Sequence, residues 1–203
     1  MLFRSAAPIV AAPAWIWSPE PVTADAAATL SGTFTLDAPA REVRVVVAVD
    51  NRSTVSLDGR ALGTTDDWAT PREFAVESLA AGTHELVIDA RNEGGPAGAC
   101  AIVEWTAAGG ARQRFATDAS WKVRVAGDSG PEGGRRAERD AKVIARLGEG
   151  PWGDNASQAF GATVGDIDRS IAVPKGFVCE LVYAVPKSRG SVVALAPDAR
   201  EIG

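Results

Sequence analysis

Apolar and polar residues alternate along much of the chain, which is the pattern of β-strands whose two faces differ in burial. In residues 41–50, REVRVVVAVD, four valines fall on one face, while Val46 and Ala48 fall on the other. Because both faces are apolar, this strand is predicted to lie inside a sheet and to be covered on both sides. Residues 84–91, HELVIDAR, show the same alternation with a polar second face.

A tight hairpin is predicted where Asp58 and Gly59 separate two alternating segments, 53–57 and 60–62. Both positions of such a two-residue turn need a positive φ, which Asp tolerates and Gly adopts readily. Further short strands are expected at regular spacing, between Gly, Pro, Asp and Asn residues, at 15–17, 32–36, 100–106, 112–116 and 121–125. This spacing is typical of an antiparallel sandwich or barrel, so the chain is predicted to be all-β.

Helical spacing occurs mainly at 135–147, where Val143, Ile144 and Leu147 would share one face. The charged, glycine-rich stretch 127–140 overlaps its start and is expected to be a solvated loop. The segment around Trp152, a Pro-Trp-Gly turn, is expected to clamp the following chain onto the sandwich.

The pattern divides the 203 residues into four parts. Residues 1–13 are expected to be a tail or partial signal segment, 14–154 the β-sandwich, 155–174 a linker, and 175–203 the truncated start of a downstream domain. The last part holds a strand pattern at 177–185 that is apolar on both faces, with no partner that the sequence identifies. It is therefore interpreted as an incomplete β segment.

The net charge of −5 argues against nucleic acid as a partner, because such proteins need a basic surface. No apolar run is long enough to suggest a membrane span. Cys100 and Cys179 belong to no metal-binding or haem-attachment motif, and whether they pair is left open. No cofactor and no metal site are predicted, although a structural calcium on loop oxygens remains an open alternative. The marginal signal-like N-terminus favours a periplasmic or extracellular location.

Catalytic chemistry finds little support in the sequence. Asp66 and Asp67 are adjacent and cannot face each other across a glycosidic bond, and the chain's single histidine, His84, begins a strand with no nucleophile motif nearby. The six tryptophans are more informative, because aromatic rings stack on sugar faces while Asp, Asn and Arg bind hydroxyl groups.

The candidate carbohydrate site combines a loop and two strand ends. Its residues are Asp66, Asp67, Trp68 and Arg72 of the loop, with Asp50, Asn51 and Asn92 at strand ends that are expected to meet at one end of the sandwich. The alternative is that Trp68 packs on the sandwich edge while Asp66 caps a turn and the strand-end residues satisfy turn geometry.

Five motifs occur in the order found in one known family: 15–20 (WIWSPE), 49–68, 92–98 (NEGGPAG), 117–123 (TDASWKV) and 150–154 (GPWGD). Together they resemble the galactose-binding-like jelly-roll module at the front of bacterial α-L-rhamnosidases. The resemblance covers residues 14–154 and implies that catalysis belongs to a separate helical barrel that this chain does not contain.

A second, shorter resemblance begins in the tail. Residues 173–198, VPKGFVCELVYAVPKSRGSVVALAPD, are similar to the entry of a β-propeller region in planctomycete-type proteins described as haem-binding or membrane-bound dehydrogenase-like. The resemblance implies that the redox centre lies further downstream than this chain reaches.

The sequence thus predicts a non-catalytic, carbohydrate-associated accessory module of a larger secreted multidomain protein. Its expected partners are a glycan and the downstream domain of the same polypeptide. Two alternatives stay open: a purely structural domain packed against a downstream propeller, and an N-terminal fragment of an α-L-rhamnosidase-like glycoside hydrolase.

Overall fold

The computed structural model of the chain describes residues 12–126, 138–153, 156 and 159–160. Two six-stranded sheets make up this part, every strand pair in them is antiparallel, and no α-helix occurs among the described residues. The prediction of an all-β sandwich is confirmed.

The described residues form twelve strands: β1 (Ala14–Trp17), β2 (Ala27–Leu36), β3 (Ala40–Asp50), β4 (Arg52–Leu57), β5 (Arg60–Thr65), β6 (Arg72–Leu79), β7 (Gly82–Arg91), β8 (Gly98–Thr106), β9 (Arg112–Ala116), β10 (Lys122–Val125), β11 (Arg139–Asp140) and β12 (Lys142–Arg146). A single 3₁₀ turn, Gly150–Trp152, comes after β12. The first sheet has the order β12-β1-β8-β3-β6, with β9 also paired to β8, and the second has the order β11-β10-β2-β7-β4-β5.

The main core lies between the two sheets. The inward valines of β3, Val43, Val45, Val47 and Val49, are at most 2% exposed, as the alternation predicts. They meet Leu30, Leu86 and Ile88 from the second sheet, which are fully buried. Burial of branched side chains on facing strands supplies most of the stabilisation of such a sandwich.

A second hydrophobic cluster covers the outer face of the first sheet. Val46 and Ala48, on the other face of β3, are fully buried there. The chain after β12 supplies the cover, and its members in the cluster are Trp152, Ala156 and Phe160. The prediction that Trp152 clamps this segment is confirmed, and two positions of the predicted linker, 156 and 160, are buried.

The helix predicted at 135–147 is wrong. Residues 139–140 and 142–146 form β11 and β12, and Val143 pairs with Ile16 of β1. The physical reason is that β12 completes the edge of the first sheet, so its backbone bonds to a strand already in place. Val143 and Ile144, which suggested a helix face, remain 41% and 38% exposed.

The hairpin predicted at Asp58 and Gly59 is confirmed. Their φ angles are 52° and 75°, and Leu57 pairs directly with Arg60. Both positions therefore adopt the left-handed conformation that a two-residue turn requires.

Several predictions lie outside the described residues. They concern the N-terminal tail, most of the loop at 127–140, Cys179, the strand pattern at 177–185 and the propeller resemblance at 173–198. Within the described part, no helix is long and apolar enough to cross a membrane.

Candidate functional site

Three connections between the two sheets meet at one end of the sandwich. The chain passes from β3 to β4 through Asn51, from β7 to β8 through residues 92–97, and from β5 to β6 through residues 66–71. Strand register places these connections together, because Arg52 pairs with Arg91 and Ser53 pairs with Thr65. We call this region, residues 50–52, 65–72 and 91–98, the crossover end.

Asn51 and Asn92 are in contact through the backbone of the neighbouring residue. The Oδ1 atom of Asn51 accepts a hydrogen bond from the Glu93 backbone N–H at 2.6 Å. Asn92 is fully buried, and its own N–H donates to the Ala26 carbonyl at 2.8 Å. The expectation that these strand ends converge is therefore met by direct contacts.

The Asn92 carboxamide lies in a cluster of oxygen atoms. Its Nδ2 atom donates to the Thr23 carbonyl at 3.3 Å. Its other end faces three acceptors, at 3.1 Å from the Gly94 carbonyl, 3.2 Å from Asn51 Oδ1 and 3.3 Å from the Pro96 carbonyl. With the amide turned over, its nitrogen donates to all three of these oxygens, and both ends of the side chain are satisfied.

Asp50 is a buried carboxylate at the same end, with 6% of its surface exposed. Its Oδ2 atom accepts a hydrogen bond from the Trp152 indole N–H at 2.9 Å, and no other described residue donates to its second oxygen. Burial raises the pKa of the Asp50 carboxyl above its ordinary value, and the bond from Trp152 offsets part of that rise.

Asp66 lines an open cavity of about 640 Å³ beside these residues. Arg52 and Glu93, which form an ion pair, line the same cavity, as do the ends of β2, β4, β5 and β7. Asp66 is exposed, and it shares this cavity with the charged side chains of Arg52 and Glu93.

The rest of the candidate loop is placed differently. The carboxylate of Asp67 caps its own turn, accepting from the Ala69 N–H at 2.9 Å and from Thr70 Oγ1 at 2.7 Å. Trp68 is partly buried and packs against the second cluster. Arg72 is exposed at the start of β6, opposite Val47. Asp67, and not Asp66 as the alternative prediction had it, therefore caps this turn.

Sequence reasoning missed part of this site. Gly94 and Pro96 contribute backbone carbonyls, which any residue carries, so only the clustered turn residues of 92–98 gave a signal. The bond between Trp152 and Asp50 joins residues 102 positions apart and leaves no local pattern.

The two most buried carboxylates of the described part are far apart. Asp50 pairs with Gly98, and Glu104 pairs with Arg44, at opposite ends of the β3–β8 ladder. Six residues of strand separate the two positions by about 20 Å, whereas glycoside hydrolysis needs carboxyl groups about 5–9.5 Å apart. Glu104 is also bound by Arg114 and Arg44, which lower its pKa although burial acts to raise it.

No group of three or more His, Cys, Asp or Glu side chains that could hold a metal occurs in the described residues. The crossover end instead offers amide and carbonyl oxygens together with the buried carboxylate of Asp50. Ca²⁺ prefers oxygen ligands of these kinds, whereas zinc prefers nitrogen and sulfur.

Comparison with known proteins places the chain beside carbohydrate-active proteins. An α-L-rhamnosidase from Streptomyces avermitilis is 33% identical in an alignment of 175 residues that covers 77% of this chain. The chain spans only 17% of the length of that relative. No family model matches.

Two solved structures share the fold. The Pleurotus ostreatus lectin superposes with a TM-score of 0.61 and 25% identity, over 70% of this chain and 44% of the lectin; the same lectin has been solved in complex with GalNAc. The Streptomyces avermitilis α-L-rhamnosidase, solved with L-rhamnose, superposes with a TM-score of 0.59 and 29% identity, over 70% of this chain and 15% of that one. The chain has the β-sandwich fold of the rhamnosidase N-terminal region and of the lectin, and it resembles a carbohydrate-associated module.

Proposed function

We propose that this chain is a carbohydrate-binding module that holds a terminal sugar at the crossover end. The observation that carries the proposal is the convergence of Asp50, Asn51 and Asn92 at the ends of β3 and β7, next to Arg52 and Glu93, which line an open cavity. The likeness to a lectin and to a rhamnosidase supports the same ligand class.

The residues around the cavity are suited to sugar hydroxyls. Arg52, Asp66 and Glu93 offer charged donors and acceptors, which form stronger hydrogen bonds than neutral groups. Trp68 lies on the β5–β6 connection and keeps part of its ring exposed, so it is the aromatic residue suited to stack on the C–H face of a sugar.

We propose further that a divalent cation, Ca²⁺ first, completes the site. The Gly94 and Pro96 carbonyl oxygens and Asn51 Oδ1 all lie 3.1–3.3 Å from one end of the Asn92 carboxamide. Converging amide and carbonyl oxygens are the ligands that Ca²⁺ prefers. Asn51, Asn92, Gly94 and Pro96 would hold the ion, which would then offer open positions to sugar hydroxyls.

L-Rhamnose is the first sugar to test. The relative with the higher sequence identity is a rhamnosidase solved with that sugar, while the lectin complex makes GalNAc the natural comparison. Isothermal titration calorimetry of the full chain with each sugar, in CaCl₂ and then in EDTA, tests the proposal. Saturable binding that EDTA abolishes is the expected result. A chain that binds neither sugar in calcium overturns it.

Variants locate the site. Asn51→Ala and Asp50→Asn should weaken binding, since each removes an oxygen ligand or a charge at the crossover end. The matched control is Thr35→Ala, because Thr35 is exposed near the opposite end of β2. Equal losses in all three variants would place the sugar elsewhere.

The module is proposed to act without catalysis, as an accessory part of a larger exported protein. The wide separation of Asp50 and Glu104 supports this, since no other buried carboxylate of the described part could pair with either. A rhamnosidase-like parent is the second candidate, on the strength of the 33% identity to such an enzyme. Sequencing the gene beyond residue 203 would show whether the sequence there encodes a helical barrel or a β-propeller. The propeller remains a prediction.

A further inference from the structure

The indole of Trp152 crosses the outer face of the first sheet to reach the candidate site. Its Nε1–H donates to Asp50 Oδ2 at 2.9 Å, and the two residues are 1% and 6% exposed. The donor comes from the segment after β12, whereas the acceptor ends β3. A single buried hydrogen bond therefore connects the C-terminal cover of the sheet to the crossover end.

The position of this ring is closely determined. It stacks on Trp15 with ring centroids 4.3 Å apart and an interplanar angle of 18°. Beneath it lies Gly98, where a Cβ atom would come within 2.6 Å of the ring. Gly98 is the direct partner of Asp50 across the β3–β8 ladder, so the ring lies beside the carboxylate.

The backbone around Trp152 contributes to this placement. Gly150 has a φ of 70°, and a Cβ atom on it would lie 2.7 Å from the Cβ of Ala145. The tight approach to β12 and the following 3₁₀ turn direct the indole onto the sheet. Ala156 and Phe160 then continue the cover as members of the same cluster.

We propose that Trp152 is a positioning residue for ligand binding. It holds Oδ2 of Asp50, so the carboxylate keeps one orientation and its Oδ1 atom, to which no described residue donates, remains for the ligand. A buried carboxylate without this donor loses a charge-assisted hydrogen bond and its fixed orientation. Ligand affinity at the crossover end therefore depends on the docking of the segment that follows β12. This inference rests on the proposed function.

A pair of variants tests the role of the N–H group. Trp152→Phe keeps an aromatic ring in the stack and removes the donor. Trp15→Phe is the matched control, because Trp15 Nε1 is buried in the same stack and has no hydrogen-bond partner among the described residues. Both are titrated as full chains with L-rhamnose in CaCl₂, at a temperature where urea melts show each variant folded.

Loss of a hydrogen bond to a charged group predicts an affinity about tenfold lower for Trp152→Phe. Trp15→Phe should bind as the wild type does. Equal affinity of Trp152→Phe and the wild type overturns the proposal, and so does an equal loss in both variants. If Asp50→Asn abolishes binding while Trp152→Phe binds as the wild type does, the positioning role fails and the proposed function stands. A wild-type chain that binds neither L-rhamnose nor calcium overturns both.

A spectroscopic measurement on the wild type needs no variant to fold. In ¹⁵N–¹H spectra the Trp152 indole resonance should move when CaCl₂ and then L-rhamnose are added, because its acceptor contacts the ligand. The Trp121 indole, which donates to the Ala116 carbonyl at 3.0 Å, is the internal reference. A Trp152 resonance that stays fixed during saturating binding overturns the proposal.

Discussion

Gly98 lies directly beneath the indole of Trp152, and a Cβ atom added to it would come within 2.6 Å of that ring. The strand needs a glycine here because the indole covers the position that a side chain would occupy. Gly98→Ala is therefore expected to destabilise the fold by about 1–3 kcal/mol through overpacking. Urea denaturation measures the loss. Gly109→Ala is the control, because a Cβ there meets nothing within 4 Å; equal effects of the two would contradict the account.

Much of the fold could be predicted from period-2 alternation, because apolar side chains mark the strand faces that are buried. The valines of β3 and the Asp58-Gly59 turn are examples. β12 could not be predicted this way, since Val143 and Ile144 face solvent and their spacing also fits a helix. Its identity as a strand comes from the partner β1, more than a hundred positions earlier in the chain.

The candidate site was predictable in part for a similar reason. Asn and Asp at strand ends gave a local signal, and the expectation that Asp50, Asn51 and Asn92 meet at one end is met. The roles of Asp66 and Asp67 could not be separated, since only the turn geometry decides which carboxylate accepts the backbone N–H. The backbone carbonyls and the hydrogen bond from Trp152 could not be predicted, because every residue has a carbonyl and Trp152 is 102 positions away from Asp50.

Glu104 and Arg114 form a buried charge pair on the outer face of the first sheet, with side chains 12% and 4% exposed. Arg114 also donates to the Phe160 carbonyl at 3.0 Å, so the pair helps to hold the C-terminal cover. Glu104→Gln leaves the guanidinium without its counter-charge and is expected to cost about 3 kcal/mol in unfolding free energy.

The control for that variant is Glu73→Gln. Glu73 also pairs with Arg44 but is 57% exposed, so its removal should cost much less. Urea melts at neutral pH compare the two, and a larger loss for the Glu73 variant would contradict the assignment. The Glu104 contribution should be present at neutral pH and should fade as pH falls through the lowered pKa of this group.

His84 is predicted to make stability depend on pH. Burial lowers its pKa, but hydrogen bonds to Asp58 Oδ2 at 2.7 Å and to the Ala80 carbonyl at 2.9 Å outweigh that effect and raise it above 6.5. A raised folded-state pKa means that the protonated form adds stability below the unfolded value of 6.5, and that this is lost as pH rises through the folded pKa. His84→Gln should therefore lose more stability relative to wild type at pH 5.5 than at pH 8.5. The same difference at both pH values in thermal melts would refute the coupling.

Trp68→Ala tests the stacking role of the β5–β6 connection. Removing one aromatic contact from a sugar site should weaken L-rhamnose binding by about 1–3 kcal/mol. The chain should stay folded, because Trp68 is only partly buried against the second cluster. Calorimetry measures the affinity for the sugar, and circular dichroism measures whether the variant is folded. Loss of folded structure together with unaltered affinity of the remaining folded fraction would assign Trp68 to packing alone.

The most direct measurement is a crystal structure of the full chain grown with CaCl₂ and L-rhamnose. We expect a cation bound by oxygens of Asn51, Asn92, Gly94 and Pro96, with the sugar in contact with that ion and close to the Asp50 carboxylate. Anomalous scattering identifies the ion independently of the sugar. A structure in which these oxygens hold no ion and the sugar lies away from the crossover end, under conditions where calorimetry reports saturation, would contradict it.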